Sequence, residues 1–358
     1  MQMALTLAGR GRTRPNPMVG AVIVKDGQVV GRGFHARAGE PHAEVVALDE
    51  AGEQARGATL YVTLEPCAHH GRTPPCVEAV VRAGLQRVVA AMEDPNPQVN
   101  GQGFECLRKV GIEVEVGCLR TSARRLNEYH VVYHEQQRPF VTLKWAMSLC
   151  GRCSLDNGQS RWISNTQSRE HGHRLRAQHD AVMVGIGTVL NDDPMLNVRL
   201  PGYDGPQPIK VVIDGDLSIP TRARLLRERG GAEVLLFTTP HARPSMIEHF
   251  EREGRTVIVL PSRRRILDLG EVLGELARRG VMSMLVEGGP QIHTYLLQHG
   301  LADKIVSFVA PKIMGGARLR SPVENLGFVS MDDVAALDRV QWHTFGEDLC
   351  IEGYLHEI

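Results

Sequence analysis

The chain reads as an α/β protein of two domains, and three observations predict it. At 358 residues it exceeds the roughly 250 to 300 residues over which one hydrophobic core usually grows. Aromatic residues make up only 5% of the chain whereas Gly, Val, Ala and Leu abound, the balance expected where short parallel strands alternate with helices. Short β-branched runs alternate with helical patterns along most of the length, and one polar, helix-patterned segment, 122–137, interrupts them before Arg138-Pro139. A first domain of residues 1–138 and a second of 139–358 are therefore predicted, with no internal repeat.

In the first domain, residues 1–10 form a short helix with Leu5, Leu7 and Ala8 turned inward, broken by 11–17. The β-branched runs 19–24 and 29–34 flank Lys25-Asp26-Gly27, an Asp-Gly hairpin turn, so they pair as antiparallel strands. Pro41 suits a helix start, and His42, Val45, Val46 and Asp49 then share an inward face. Strands at 59–64, 87–92 and 113–116 alternate with helices at 76–83 and 104–110, a β-α-β-α-β run. Cys106 and Cys118 look structural.

The stretch Pro41-His42-Ala43-Glu44 is answered by Pro66-Cys67 and by Pro75-Cys76. One imidazole and two thiolates, from His42, Cys67 and Cys76, would give zinc three protein ligands and leave a fourth position for water, the arrangement of a catalytic site. Glu44, two residues beyond the histidine, is then placed as a general acid/base, not a ligand. The alternative is a structural zinc whose fourth ligand comes from His69 or His70, or a core histidine with two unrelated thiols.

His-x-Glu followed by Pro-Cys-x-x-Cys is the usual nucleobase deaminase signature, and here eight residues, 68–75, separate the two cysteines. With its flanks, Thr63-Leu-Glu-Pro-Cys-Ala-His-His-Gly-Arg-Thr-Pro-Pro-Cys76 resembles the deaminase half of the bifunctional pyrimidine deaminase/reductase family of riboflavin biosynthesis. Pro15-Asn16-Pro17 and Pro41-His42-Ala43-Glu44 fit the same pattern. The resemblance implies a cytidine-deaminase-like three-layer α/β/α sandwich followed by a dihydrofolate-reductase-like α/β domain. It implies one zinc ion per chain and NADPH as cofactors, and a phosphoribosylaminopyrimidine as substrate. It places Asn16, His35, His69, Arg72 and Asn96 at the deaminase substrate, Arg72 on its phosphate. Taken alone, Asn16 is as well read as a turn residue, His35 as a surface histidine and Arg72 as a solvated loop charge.

From Phe140 the resemblance continues through the reductase half, so it covers essentially the whole chain. Residues 140–149 are the opening strand, after which the family has Ser-Leu-Asp-Gly; here Cys150 replaces the Asp before Gly151. The Cys150-x-x-Cys153 pair lacks a partner pair or a thioredoxin-like context. The family places Lys144 by the reacting ribose carbon, and Glu287 with it as a catalytic and sugar-binding residue. Ser160, Arg176, Leu196 and Arg199 are implied at the reductase substrate, with Arg176 and Arg199 as the anion clamp. Ala146, Trp162, Thr188, Asp192, Gly215 and the run Gly289-Pro290-Gln291-Ile292-His293-Thr294-Tyr295 are implied at NADPH; for Trp162 the alternative is a core residue.

Local patterns fill in the second domain: a helix at 166–178 capped by Ser164 or Asn165, a buried strand 181–190 turning through two glycines, and strands at 209–214, 233–237 and 256–260. The strand 282–286 runs through Glu287-Gly-Gly into a helix whose first amides suit a phosphate. Residues 304–310 and 350–355 close the sheet as edge strands.

Lys plus Arg and Asp plus Glu balance at 41 each, so no global field draws the chain to nucleic acid or to an anionic membrane. Seven cysteines, an odd number, point to a reducing compartment, with cytoplasm the default. No run of about 18 apolar residues and no signal-type N-terminus occurs, so a soluble protein is expected, as a homodimer or higher homo-oligomer on the resemblance. Two rivals stand beside this reading: a nucleic-acid base deaminase with a binding module, whose basic patch would be Arg263 to Arg265, and a metal-stabilised scaffold with a decayed second half.

Overall fold

A computed structural model describes residues 1–70, 74–227, 232–317 and 320–358. The chain divides into two compact units, Met1–Gln137 and Arg138–Glu357.

The first unit is a three-layer sandwich. Helix α1 (Gln2–Ala8) precedes strands β1 (Gly20–Lys25) and β2 (Gln28–Phe34), then α2 (Ala43–Ala51), β3 (Thr59–Val62), α3 (Cys76–Arg82), β4 (Arg87–Ala90), α4 (Gln102–Lys109), β5 (Glu113–Val116), α5 (Arg120–Leu126) and α6 (Glu128–Gln136). The sheet order is β2-β1-β3-β4-β5, antiparallel through β1 and parallel from β3 to β5. Asp26 (φ 49°) and Gly27 (φ 77°) make the hairpin turn that the Asp-Gly pair predicts.

What seats α2 on the sheet is a match of small residues. A Cβ on Gly31 would lie 2.1 Å from the Ala47 carbonyl oxygen, and one on Gly33 would lie 2.1 Å from that of Ala43. Two strand glycines thus face a helix built on Ala43, Ala47 and Ala51, and the backbones close to a distance no side chain permits. The inward face differs from the expected one. His42 is the N-cap, extended at ψ 159°, so the helix phase starts one residue later and buries Ala43, Glu44, Ala47, Leu48 and Ala51; Asp49 is exposed.

The polar segment 122–137 is two helices, not one. They break at Asn127, which is buried; its Oδ1 accepts from the Met18 amide at 2.8 Å and its Nδ2 donates to the Met18 carbonyl at 2.9 Å. The side chain satisfies a loop backbone that no strand partner reaches.

The second unit opens with β6 (Phe140–Ser148), α7 (Thr166–Gln178), β7 (Ala181–Gly185), α8 (Ile186–Asp192), β8 (Ile209–Ile213), α9 (Arg224–Arg227), β9 (Val234–Thr238), α10 (Pro244–Arg252) and β10 (Thr256–Val259). It continues with α11 (Leu269–Arg278), β11 (Ser283–Val286), α12 (Pro290–Gln298), β12 (Lys304–Ala310), β13 (Asp338–Phe345) and β14 (Asp348–Tyr354). Asn165 caps α7 by accepting from the Ser168 amide. The nine strands run β10-β9-β8-β7-β11-β6-β12-β14-β13, parallel from β10 to β12 and antiparallel beyond. Two buried clusters cover the two faces, one centred on Leu143, Met183 and Leu273, the other on Val184, Val212 and Phe250.

Two expectations change here. The strand expected over 181–190 ends at Gly185, where the chain turns into α8. The closing strands expected as edges, β12 and β14, are interior, because β13 pairs outside β14. The sequence hides β13 because most of its side chains are exposed, which removes the alternation that marks a half-buried strand. Among the described residues no helix is long and apolar enough to cross a membrane.

Candidate active sites

In the first unit the N-terminal ends of α2 and α3 converge. His42 stands immediately before α2, and Cys76 is the first residue of α3, with Cys67 on the loop after β3. The His42 Nδ1 lies 3.1 Å from Cys76 Sγ and 3.5 Å from Cys67 Sγ, and the three donor atoms all fall within 4.8 Å of one another. A tetrahedral zinc with ordinary bond lengths needs such atoms about 3.6 to 3.8 Å apart. The donor set therefore fits zinc with small adjustments. Neither His69 nor His70 joins the cluster; both are exposed, so the four-ligand structural alternative lacks its fourth donor among the described residues.

The two thiols are shifted in opposite senses. Hydrogen bonds from the Cys76 thiol, from His42 and from the Cys76 amide at 3.3 Å hold Cys67 down at about 4. Cys76, hydrogen-bonded to Cys67 and fully buried, moves up instead. Glu44 is 3% exposed, and burial, reinforced by the Cys67 thiolate, pushes its carboxyl up to about 7. A dication held by the three donors acts in the opposite sense.

Beside this cluster, His35 is buried with its ring 5.2 Å from that of His42, edge to face. Its Nδ1 lies 3.1 Å from the Pro41 carbonyl oxygen, which fixes that nitrogen as the donor; Nε2 then accepts from the Asn16 amide at 3.1 Å. The surface-histidine alternative fails for His35, whereas Asn16 does serve a turn, its backbone amide donating to the Thr13 carbonyl at 2.8 Å, and offers its side-chain amide to His35 besides. Asn96 sits in the loop after β4, where its Oδ1 accepts from the Gln98 amide. His69 is exposed on the loop from Cys67, and Arg72 lies outside the described residues.

Sequence reasoning missed Glu65. Its buried carboxylate accepts from the amides of Asp94, Gly101, Gly103 and Phe104 at 3.2, 2.9, 2.8 and 3.4 Å, tying the start of α4 to the Pro66-Cys67 turn. The only signal was an acidic residue placed just before Pro-Cys at a strand end.

In the second unit the candidate residues gather at the carboxyl ends of adjacent parallel strands, the usual place for a ligand in an open α/β sheet. Lys144 projects from β6, and Glu287 follows β11. Glu287 receives a two-pronged grip from Arg176, Nε at 2.5 Å and Nη2 at 2.8 Å, and Lys144 Nζ lies 3.9 Å away. Burial alone would raise this carboxyl, but the Arg176 and Lys144 charges overcome it and hold the group at about 2. Arg176 also donates to the Asn197 carbonyl at 2.9 Å. The expected clamp of Arg176 with Arg199 is therefore not formed by two outward guanidinium groups: Arg176 turns inward to Glu287, while Arg199 is exposed and bonded to Asn197 Oδ1.

Other expected residues divide in the same way. The Ser160 hydroxyl donates to Asp192 Oδ1 at 2.8 Å, joining two predicted ligand residues. Trp162 is 63% exposed, flanked by the Arg169 guanidinium 4.4 Å from its ring, so the core alternative fails. Lys312, which sequence reasoning passed over, fixes this loop by donating to the Trp162 and Ile163 carbonyls at 2.8 and 2.7 Å. Thr188 packs on the β11–α12 turn, where a Cβ on Gly288 would meet its Oγ1 at 2.9 Å. Gly289 (φ 89°) precedes Pro290, and the Ile292 amide bonds back to Gly289, leaving the Gln291 amide without a partner inside the helix.

Several side chains expected at a ligand face the core instead. Leu196 is 1% exposed, and Ile292 and His293 are buried, His293 with Nδ1 donating to the Pro322 carbonyl at 3.0 Å. Ala146 packs against the second core cluster. Thr294 bonds the Pro290 carbonyl and the Glu324 amide, and Tyr295 stacks on His299 at 4.0 Å. A Cβ on Gly215 would meet the Arg265 carbonyl oxygen at 2.1 Å, so that glycine answers a packing demand. Consecutive residues of a helix cannot all face one ligand.

A zinc-type deaminase centre on one unit and a lysine–glutamate–arginine site at the sheet end of the other define a bifunctional deaminase–reductase class. Comparisons agree half by half. Residues 1–92 match the cytidine and deoxycytidylate deaminase zinc-binding region, and residues 139–351 match the RibD C-terminal domain. The riboflavin biosynthesis protein RibD of Aquifex aeolicus is 43% identical over 353 residues, covering 98% of this chain and 96% of the relative. That of Escherichia coli is 40% identical over 364 residues, covering 98% and 97%. Among solved structures, Acinetobacter baumannii RibD superposes with a TM-score of 0.85 at 38% identity, covering 99% of this chain and 97% of the other. A diaminohydroxyphosphoribosylaminopyrimidine deaminase/5-amino-6-(5-phosphoribosylamino)uracil reductase from Thermotoga maritima gives 0.78 at 36% identity, with the same coverage. The chain belongs to the family of bifunctional deaminase/reductases of riboflavin biosynthesis, enzymes with a hydrolase half and an oxidoreductase half.

Proposed function

We propose that the first half hydrolytically deaminates 2,5-diamino-6-(5-phosphoribosylamino)pyrimidin-4(3H)-one. The second half then uses NADPH to reduce the ribosyl chain to ribityl, giving 5-amino-6-(5-phosphoribitylamino)uracil. The observation that carries the reading is the meeting of His42, Cys67 and Cys76 beside the buried carboxyl of Glu44.

Zinc held by those three donors supplies a Lewis acid that brings the acidity of water toward neutral pH. Glu44 takes a proton from the attacking water, gives it to the ring nitrogen, and returns a proton to the departing amine, so a ring carbonyl and ammonia result. With Nε2 of His35 occupied by its amide N–H, Asn16 keeps Oδ1 to accept from the pyrimidine edge. His69 and Asn96 bound the same substrate, and the family pattern assigns Arg72 to its phosphate.

Bound NADPH would supply the hydride that the ribose carbon of the ring-opened imine requires. Lys144 donates the proton that the imine nitrogen needs, and Glu287 holds the sugar hydroxyls and positions Lys144, whose Nζ lies 3.9 Å away. Arg176 acts through Glu287 by fixing its carboxylate. Ser160 and Arg199, with the backbone at Leu196, hold the sugar phosphate. Trp162, Thr188, Asp192 and the turn Gly289-Pro290-Gln291 hold the cofactor, Gln291 through its amide. A homodimer through the second half is part of this reading: β13 leaves one side of an exposed strand unpaired among the described residues, with Trp342 62% exposed on it. The protein then works in the cytoplasm on a small molecule, with no nucleic acid or membrane partner.

Protein, substrate and NADPH mixed together test the proposal, with ammonia and NADPH absorbance followed in one experiment. Ammonia release followed by NADPH loss supports both halves. No ammonia from zinc-loaded protein overturns the first, and ammonia without NADPH loss overturns the second.

A further inference from the structure

Close to the Asn16–His35 pair, two arginines are set side by side in a way that folding alone does not explain. Arg12 lies on the loop that leads to Asn16, and Arg37 is two residues beyond His35. The Arg12 amide donates to the Ala36 carbonyl at 2.9 Å, and Arg12 and Arg37 are directly paired in an isolated parallel bridge. Residues paired across a bridge carry their side chains on the same face, about 5 Å apart, where like charges repel. Both side chains are exposed, and among the described residues neither forms an ion pair with a carboxylate. Arg14, by contrast, stacks on Tyr129 at 4.1 Å. A repulsive pair of forked donors, left without an acid and tied by backbone to the two segments that carry Asn16 and His35, is arranged for an anion.

We infer that Arg12 and Arg37 together grip the phosphate monoester of the deaminase substrate. The inference rests on the proposed deaminase reading and adds two residues that neither the motif nor the zinc site indicates. Along an extended segment alternate residues share a side, so Arg37 stands one step outward from His35 on the same side. A substrate whose ring meets Asn16 at the His35 level would direct its ribose phosphate outward, to the paired guanidinium groups. Two forks on one phosphate satisfy up to four of its acceptor positions without burying a charge.

The test uses R12Q, R37Q and the double variant in the full chain, with R72Q alongside. Ammonia release is measured for the phosphorylated substrate and for the same compound after phosphatase treatment, and the ratio of the two kcat/KM values is compared. Because both substrates meet the same sample, the ratio does not depend on the fraction folded or zinc-loaded. Each single variant is expected to lower the ratio on the order of tenfold, through KM, and the double variant by more. A ratio in the double variant within about twofold of wild type, or a loss confined to R72Q, overturns the inference while leaving the deaminase reading intact. Absence of ammonia from either compound with the zinc-loaded wild type would instead overturn that reading.

Discussion

Replacing Glu287 by Gln removes one charge and almost no volume, so its effect isolates the electrostatics of the second site. In the folded chain Arg176 and Lys144 hold this carboxyl at about 2 against an ordinary value of 4.5, even though burial works the other way. At about 1.4 kcal/mol for each tenfold change in acidity, that difference corresponds to about 3 kcal/mol. The figure agrees with the roughly 3 to 5 kcal/mol lost when one partner of a buried pair is removed and the other charge stays buried. The folded value is the depressed one, so the contribution is complete above the unfolded carboxyl range near 4 and fades as pH falls toward 2. Urea unfolding of E287Q at pH 7 should therefore show the second half destabilised by about 3 kcal/mol, with a much smaller gap at pH 3, while ammonia release persists. A loss below about 1 kcal/mol at pH 7, or one that does not shrink on acidification, would refute the electrostatic argument.

Gly103→Ala places a Cβ 2.0 Å from the Pro66 carbonyl oxygen, next to Cys67, so zinc per chain should fall and the first half should lose about 1 to 3 kcal/mol. Metal analysis with thermal unfolding checks it. Asp303, fully buried, is gripped by Arg138 through two 2.7 Å bonds and by His356, which keep its carboxyl below the ordinary range despite burial. Its contribution should be present above about pH 4 and disappear on acidification; in D303N the midpoint should drop at pH 7 and the acid limb of the stability profile should flatten, as read by urea unfolding. Trp162→Ala removes a largely exposed ring, so unfolding should not change while the dissociation constant of NADPH, measured by fluorescence, should rise about tenfold.

How far the fold could be read in advance depended on whether local chemistry and burial pointed the same way. Asp26-Gly27 turned where its backbone preference required, and the helix at 166–178 began and ended as its pattern predicted, with Asn165 as its cap. Strand β13 escaped because an exposed edge has no apolar alternation to display. The inward face of α2 was misread because Pro41 and His42 looked like a first turn but lie extended before it, and because the packing partner, Gly31 and Gly33, belongs to another element. At the first site the cluster of His42, Cys67 and Cys76 was visible because metal chemistry restricts residue type and spacing, whereas Glu65 uses only backbone amides and leaves no such signature. In the second unit the family pattern named positions, but the helix periodicity turned Ile292 and His293 to the core, and the charge balance turned Arg176 to Glu287.

The most direct measurement is zinc content and ammonia release together, in wild type, C76S and E44Q. Wild type should carry one zinc per chain and release ammonia; C76S should lose both, and E44Q should keep the metal but release none. Wild-type protein that releases ammonia without stoichiometric zinc, or E44Q that deaminates at the wild-type rate, would contradict the account.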